Sequence, residues 1–427
     1  MTALPAALEH LVTRIKAPLR DAVTDNSAVE TTVKAVLADV KARGDAAVRN
    51  YSVKFDKAEI GALEVTMTER EAAVAALDPQ TRADTQFAID NVTAFAKAQL
   101  ATILPLEVET LPGIHLGHRV IPIERVGCYV PGGRYPLLSA PVMTIVPARV
   151  AGVKEVIACL PPNAHQAMIA GCHMSGADRI FRVGGAQAIA AMAYGTETIP
   201  KADKIVGPGN AFVNEAKRQV FGPVGIDQLA GPSEIYTLAD DTGNARMIAT
   251  DMLAQAEHDV RTRVGLITTN RALAEAVLAE VERQLPGLST APVAGVAWRD
   301  YGEIIVVPDE ATMIAVSDRI AAEHLQVHTR DAMAFSRRLT SYGSLFIGEN
   351  ASVVYSDKCI GTNHTLPTMA AGRYTGGLWV GAYVKVCTHQ WIENGAIDQV
   401  AQPAMRQSAS EGLEGHRRAA AFRVERN

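Results

Sequence analysis

The stretch that most constrains the fold of this chain runs from residue 126 to residue 234, where strand, turn and helix alternate about four times. Short apolar runs end in turns rich in glycine or proline, and alanine-rich helical segments follow. The strand-and-turn segments read GCYVPGG, KEVIACLPP, RIFRVGG and KIVGPGN. Because parallel strands need a crossover between them, this alternation predicts a parallel α/β sheet.

Residues 240–349 also alternate between strand and helix segments, with different sequences. Strand segments such as TRVGLITT, GEIIVVP and YGSLFIG are separated by helical segments, so a second parallel sheet is expected. Residues 27–100 have helical periodicity, and residues 105–125 contain short alternating strands. We expect an amphipathic helix at the N-terminus and a polar, helical tail from about residue 385, and find no internal repeat in the sequence.

The predicted fold class is therefore α/β, with two Rossmann-like parallel-sheet domains and small helical N- and C-terminal extensions. An N-terminal helical arm is expected over 1–24 and a C-terminal helical tail over 381–427. The first α/β domain is predicted to be discontinuous and to combine 25–128 with 235–380. Residues 129–234 are predicted to form a separate, cofactor-binding α/β domain.

Composition excludes several classes of protein. The 427 residues carry a net charge of −5, so no basic face for nucleic acid or an anionic membrane is expected. No segment approaches the roughly 20 apolar residues that span a bilayer. The five cysteines include no Cys-x-x-Cys pair, which disfavours a disulfide framework and fits the cytoplasm.

The turns PGGRYP, VGGAQ and VGPGN follow successive strands of the first predicted sheet. Ligands of such sheets bind at the carboxyl ends of the strands, where helix N-termini present backbone N–H groups. The dinucleotide fingerprint Gly-x-Gly-x-x-Gly is absent, and any one of these turns is explained as a tight turn alone. Three in succession favour a bound nucleotide without identifying it.

Four polar pairs lie in otherwise apolar or helical surroundings, and these are Gln255 with His258, Glu323 with His324, Asp357 with His364, and Glu411 with His416. The first and third pairs offer donors that zinc accepts. A histidine beside a carboxylate suits proton transfer near neutral pH. Each pair alone is also explained by helix ends, an Asx-turn or solvent exposure, and only their convergence would indicate a metal-dependent enzyme.

The joint pattern resembles the histidinol dehydrogenase family over nearly the whole chain. The shared segments occur in family order and spacing, and include YVPGG, PARVAGVKEV, GGAQAIAAMAYGT, VGPGNAFVNEAKRQVFG, AGPSE, QAEHD, AEHLQV, GTNHTLPT and EGLEGH. The resemblance implies an NAD- and zinc-dependent dehydrogenase that takes a primary alcohol through the aldehyde to the carboxylate, using two NAD. It also implies a homodimer whose C-terminal tail completes the partner's site.

The resemblance assigns individual roles as well. Four residues are the implied zinc ligands, namely Gln255, His258, Asp357 and His416. His324 is the implied general base, and Glu323 the implied activator of water in the second step. The implied substrate contacts are Ser233, His364 and Glu411. The implied NAD contacts are Tyr129, Gln187 and Asn210.

The chain departs from the histidinol enzymes beside Asp357, where the segment reads SVVYSDKCIGTNH. Val353 stands where those enzymes carry a carboxylate for the amino alcohol, Ser356 replaces Gly, and Lys358 replaces Tyr. Arg134 adds positive charge in the turn PGGRYP. The changes beside Asp357 and the change in this turn both add positive charge, which suits an anionic substrate. Segments such as GGRY, AWRDY, YGSLF and YTGGL resemble the sulfopropanediol 3-dehydrogenase branch of the family.

This resemblance implies oxidation of (R)-2,3-dihydroxypropane-1-sulfonate to sulfolactate. Arg134, Lys358 and Arg373 are candidate partners of the sulfonate, although a phosphate clamp on NAD explains Arg134 and ion pairs explain the other two equally well. L-histidinol and another small anionic diol are the alternative substrates. A non-catalytic relative is disfavoured because Glu323 and His324 are both retained.

Overall fold

The computed structural model describes residues 4–20, 27–132 and 137–426. The first helices, α1 to α5, span Ala6–Glu9, Ser27–Arg43, Asp45–Tyr51, Met67–Ala75 and Pro79–Leu100. Helices α6 to α11 span Ser139–Val150, Gln166–Met174, Gly185–Tyr194, Ala211–Val220, Ala245–Ala256 and Arg271–Gln284. Helices α12 to α17 span Ala291–Tyr301, Glu310–Ile320, Ala332–Ser336, Val353–Lys358, Asp398–Ser410 and Glu414–Glu425.

The strands follow in chain order. Strands β1 to β7 span Thr13–Lys16, Leu106–Leu111, Ile114–Pro122, Arg125–Tyr129, Glu155–Leu160, Arg179–Arg182 and Lys204–Val206. Strands β8 to β14 span Gly225–Ile226, Glu234–Ala239, Arg263–Thr268, Glu303–Val306, His324–His328, Ser344–Ile347 and Val384–Ile392. Both parallel sheets expected from the strand–helix alternation are present, which confirms the predicted α/β class.

The five strands within 125–226 form one parallel sheet, here called the first sheet, in the order β6-β5-β4-β7-β8. The strands within 234–347 form the second sheet in the order β11-β10-β9-β12-β13. Strand β1 pairs antiparallel with β11 at the edge of the second sheet. The central strand β9 is buried along its whole length, as expected of a parallel strand covered on both faces.

The two sheets repeat one topology. In each, the chain starts in the centre, adds two strands on one side, and then returns to add two strands on the other side. The sequence showed no repeat, because buried parallel strands and amphipathic helices tolerate many apolar side chains at the same positions. Each sheet therefore has a crevice where the strand order reverses, between β4 and β7 in the first and between β9 and β12 in the second.

The predicted domain boundaries need correction. Val33 and Val36 of α2 pack with Ile189 of α8 in one core on the first sheet. Ala73 of α4 and Ala96 of α5 share a second core with residues of α6 and α7. Residues 27–100 therefore cover the first sheet instead of joining 235–380, and the predicted boundary at 128/129 cuts through β4.

The predicted helical ends are also partly wrong. Among the described residues of the predicted arm, 4–20, only Ala6–Glu9 is helical, and Thr13–Lys16 is a strand of the second sheet. At the C-terminus, β14 precedes helices α16 and α17 and pairs antiparallel with β3 in a three-stranded sheet, β14-β3-β2. In the described part of the chain, no helix is both long and apolar enough to cross a bilayer.

Candidate active site

Glu323 and His324 lie at the amino end of β12, where α13 ends in the left-handed residue Ala321. Both side chains are buried, and His324 Nδ1 is 3.4 Å from Glu323 Oε2. The first residue of the neighbouring strand β9 holds both of them through its backbone. The N–H of Glu234 donates to Glu323 Oε2 at 2.8 Å, and its carbonyl oxygen lies 2.9 Å from His324 Nδ1.

This arrangement fixes the tautomer of His324. A carbonyl oxygen only accepts hydrogen bonds, so Nδ1 must carry the proton, and Nε2 of the neutral ring is left with its lone pair. Nε2 is buried and has no hydrogen-bond partner among the described residues. Burial lowers the pKa of His324, but the adjacent Glu323 carboxylate outweighs it and raises that pKa to about 9.

Two of the predicted zinc ligands, His258 and Asp357, meet at a corner beside Glu323 and His324, here called the dyad. Gln255 is buried in the last turn of α10, and His258 follows that helix with its side chain 40% exposed. Asp357 lies on α15, and its Oδ2 is 3.9 Å from His258 Nε2. The amide, imidazole and carboxylate are donors that zinc accepts.

The charges at this corner suit metal binding. Loss of water around the ring lowers the pKa of His258, and nearby Lys358 lowers it further against the pull of Asp357. Burial alone would raise the pKa of Asp357, but His364, His324 and His258 hold it well below its usual range. A neutral imidazole and an ionised carboxylate are the ligand forms that a metal requires.

Other predicted substrate contacts surround the same corner. His364 Nδ1 lies 3.4 Å from Asp357 Oδ1, on the side opposite His258. Ser233 immediately precedes Glu234, and its carbonyl accepts the backbone N–H of Arg263. Lys358 is exposed at the end of α15 and makes no hydrogen bond or ion pair with any described residue. Arg134 lies outside the described residues.

Glu411 and His416 do not join this corner within one chain. They lie exposed on the hairpin of α16 and α17, and in the described part of the chain neither side chain makes a hydrogen bond or an ion pair. Within the described residues, no group of three or more His, Cys, Asp or Glu side chains is arranged to hold a metal. One chain therefore brings together His258 and Asp357, and Gln255 lies three residues before His258 at the end of α10.

The predicted NAD contacts lie around the crevice of the first sheet. Tyr129 ends β4, and its hydroxyl oxygen accepts the N–H of Gly185 at 3.2 Å. Gln187 is buried in the first turn of α8, where its Nε2 donates to Asp56 and its Oε1 has no partner among described residues. Asn210 follows β7 and caps α9 by accepting the N–H groups of Phe212 and Val213.

Glycines shape the backbone around this crevice. Helix α8 starts at Gly184–Gly185 without a side-chain cap at its N-cap residue, and the N–H of its first residue, Gly185, donates to the Tyr129 hydroxyl. A Cβ on Gly207, which has φ +116°, would lie 2.2 Å from the carbonyl oxygen of Tyr129. Glycine is thus required where the turn after β7 approaches β4.

The dyad lies at the amino end of the second sheet, although the general rule favours carboxyl ends. The crevice between β9 and β12 is closed by the protein itself, because the Asp240 carboxylate accepts the backbone N–H groups of Arg330 and Thr242, each at 2.8 Å.

Two residues of these sites, Glu234 and Asp56, were not predicted from the sequence. A glutamate that opens the buried strand EIYTLA was the available signal for Glu234.

The family model, the curated relatives and the solved structure that match this chain all point to one family. The model of the family described as histidinol dehydrogenase matches residues 19–424. A histidinol dehydrogenase homologue of Mesorhizobium japonicum is 48% identical over 405 residues, covering 94% of this chain and 81% of the homologue. The sulfopropanediol 3-dehydrogenase of Ruegeria pomeroyi is 44% identical over 407 residues, covering 94% and 93%. The crystal structure of a histidinol dehydrogenase from Elizabethkingia anophelis matches with a TM-score of 0.91 and 34% identity, covering 99% of this chain and 96% of that one.

Proposed function

Because the chain belongs to the histidinol dehydrogenase family, whose members are NAD-dependent oxidoreductases, we propose that it oxidises a small anionic diol at its primary alcohol. The substrate we favour is (R)-2,3-dihydroxypropane-1-sulfonate, and the product is sulfolactate. The overall conversion takes one alcohol, one water and two NAD⁺ to one carboxylate, two NADH and three protons. Two hydride equivalents leave the same carbon in succession.

The observation that carries the choice of substrate is the pair Val353 and Lys358 on α15. Val353 lies four residues before Asp357, so the two share one face of the helix. Val353 is buried in an apolar core with Phe346 and Leu253, which leaves no carboxylate there for a substrate amine. Lys358 adds a cation beside His258 that has no partner among the described residues, which suits a sulfonate.

The dyad supplies proton transfer in this proposal. Nε2 of His324 accepts the hydroxyl proton of the alcohol, and Nδ1 stays bound to the carbonyl of Glu234 throughout. After the first oxidation, Glu323 takes a proton from the water that adds to the aldehyde. The N–H of Glu234 holds Oε2 of that carboxylate in place. When bound, NAD accepts hydride, and zinc orients and polarises the substrate oxygen.

Gln255, His258 and Asp357 would hold zinc, with His416 of a second copy as the fourth ligand. Glu411 and His416 are exposed, and neither side chain makes a hydrogen bond or an ion pair with a described residue. Both facts support this dimeric arrangement. Tyr129, Gln187 and Asn210 would border NAD in the crevice of the first sheet. Ser233, His364 and Glu411 would contact the substrate.

L-Histidinol is the main alternative substrate. The likeness to the solved histidinol dehydrogenase supports it at the level of fold and family. Val353 argues against it, since a cationic amine would meet Lys358 without a nearby carboxylate at that position. Another small anionic diol is the remaining alternative, because a carboxylate would satisfy Lys358 as well as a sulfonate does.

The test is NADH formation by zinc-loaded protein with the sulfonate diol, its carboxylate analogue 2,3-dihydroxypropanoate, and L-histidinol. We expect the highest kcat/KM on the sulfonate diol, with two NADH formed per molecule consumed. One NADH per molecule would contradict oxidation through to the acid. Equal or better turnover of L-histidinol would contradict the assigned substrate.

A further inference from the structure

A chain of buried charged and polar side chains runs through the second sheet to the dyad. The Glu234 carboxylate accepts from Arg263 Nη1 at 3.1 Å, and Arg263 Nη2 lies 3.0 Å from the Tyr236 hydroxyl. That hydroxyl donates to Glu303 at 3.1 Å, and Glu303 accepts from Arg14 Nε at 3.0 Å. These five residues, here called the charged relay, connect the edge strand β1 to the first residue of β9.

The charged relay is costly to bury. Glu234 and Glu303 are each 1% exposed and Arg263 is 8% exposed. Buried ion pairs of this kind add little stability compared with apolar side chains of similar size, because each charge must leave water. A core position in a sheet does not need such groups for stability, which favours a role in specifying geometry.

Glu234 is the residue of the charged relay that orients Glu323 and His324. Its side chain is held by Arg263 and, at 3.3 Å, by the N–H of Met369. Met369 and Ala370 both have positive φ, 56° and 61°, a conformation that costs energy for residues other than glycine. The same residue offers its backbone N–H to Glu323 and its carbonyl to His324. Fixing the Glu234 side chain therefore fixes the peptide groups that orient both members of the dyad.

We propose that Arg263 is a positioning residue for catalysis that acts through Glu234, and this rests on the proposed role of Glu323 and His324. Arg263 touches neither member of the dyad. It neutralises the buried Glu234 carboxylate and holds it, so that the start of β9 keeps one position beneath Nδ1 of His324. Burial raises the pKa of Glu234, and Arg263 opposes that rise.

A merely structural role predicts a different behaviour. If Arg263 only stabilised the sheet, its loss would lower the unfolding temperature and leave kcat of the folded fraction unchanged. If it acts through the dyad, kcat falls while the KM for NAD, which binds at the other sheet, is unchanged. The loss should also vanish when His324 is already replaced, since residues that act as a unit are not additive.

The experiment compares Arg263→Met in the wild-type and His324→Asn backgrounds. We expect kcat to fall ~10–100-fold in the wild-type background, the usual effect of removing a supporting partner. In the His324→Asn background we expect a change of less than about twofold. Glu234→Gln together with Arg263→Met should regain most of the lost kcat, because the neutral amide no longer requires the guanidinium.

Arg179→Met is the matched control, since it breaks an Arg–Glu pair with Glu64 at the first sheet, far from the dyad. If Arg263→Met does not fold, Arg263→Lys, which retains the charge but loses the guanidinium, replaces it in the same comparison. Hydrogen exchange gives a readout that needs no substrate: Arg263→Met should raise exchange in peptides covering 232–236 and 321–326, and Arg179→Met should not.

Equal losses of kcat in the two backgrounds would overturn the proposal, as would an Arg179→Met variant that loses as much kcat as Arg263→Met. Absence of NADH formation by the wild-type protein with every alcohol tested would instead overturn the proposed function. The exchange experiment would then still decide whether Arg263 orders the dyad. Unchanged exchange at 321–326 in the folded Arg263→Met protein would count against it.

Discussion

His324 has the three properties that a general base in this site needs. Its Nδ1 is committed to a carbonyl, its Nε2 is without a partner among described residues, and a carboxylate lies beside it. The same carboxylate that makes the ring a stronger base also makes the imidazolium stabilise the fold. The site therefore links proton transfer to stability at a single residue.

This link predicts how the chelator-treated protein unfolds with pH. The pKa of His324 is raised from 6.5 to about 9, so its imidazolium stabilises the folded state fully below pH 6.5. That contribution, on the order of 3 kcal/mol, is lost as pH rises through 9. We expect the free energy of unfolding, measured with urea from pH 6 to 10, to fall over this window. His324→Asn should flatten the fall, and an unchanged pH dependence in that variant would contradict the assignment.

Lys358 gives a second prediction at a single residue. Replacing it by Met should raise the KM for the sulfonate diol ~10–100-fold, the range for losing one charge-assisted hydrogen bond, and change kcat less. Because Lys358 is exposed and unpaired among described residues, the thermal unfolding temperature should stay constant. The control is Lys154→Met, another exposed lysine, which pairs with Glu124 on the surface. Equal KM values for the two variants would exclude Lys358 from substrate binding.

The turn after β7 shows how an element depends on one backbone position. Gly207 has φ +116° and its hypothetical Cβ would collide with the carbonyl of Tyr129, whereas Gly222 has φ +113° and open space around it. Gly207→Ala should therefore weaken NAD binding and lower the unfolding temperature, because β7 must move from β4. Gly222→Ala carries the same backbone strain without the clash. Calorimetric titration with NAD should separate the two, and equal affinities would show that this turn does not shape the cofactor site.

The elements that sequence reasoning placed correctly are those with local causes. The helices within 27–100 and the alternation of 126–234 follow from periodicity and turn residues in a few neighbouring positions. The sequence predicts a helical tail over β14 although VKVCTHQWI alternates, because its pairing partner β3 lies some 270 residues earlier. Strand β1 was missed for the same reason, since four residues become a strand only at the edge of β11.

At the scale of the whole molecule, the two sheets share one strand order but present their polar residues at opposite ends. The crevice of the first sheet is bordered by Gly184, Gly185 and Gly207, whereas Asp240 bridges the loops that follow β9 and β12 in the second sheet. The second sheet presents its polar residues at the opposite, amino end, where β9 and β12 begin. Motifs predicted the residues of both sites, but only the fold shows that Glu411 and His416 stay apart from the other predicted residues within one chain.

This separation makes the last prediction one about assembly. If His416 of one chain completes the site of its partner, His416→Ala and His324→Asn homodimers should each retain only a small residual activity. Mixing them under conditions that allow subunit exchange gives about half heterodimers, each with one intact site, and so about a quarter of wild-type activity. NADH formation before and after exchange measures this gain. Mixing His324→Asn with Glu323→Gln is the control: each chain then carries a defect in its own site, so no heterodimer has an intact site and no activity should be restored. Activity equal in both mixtures would contradict a site shared between two chains.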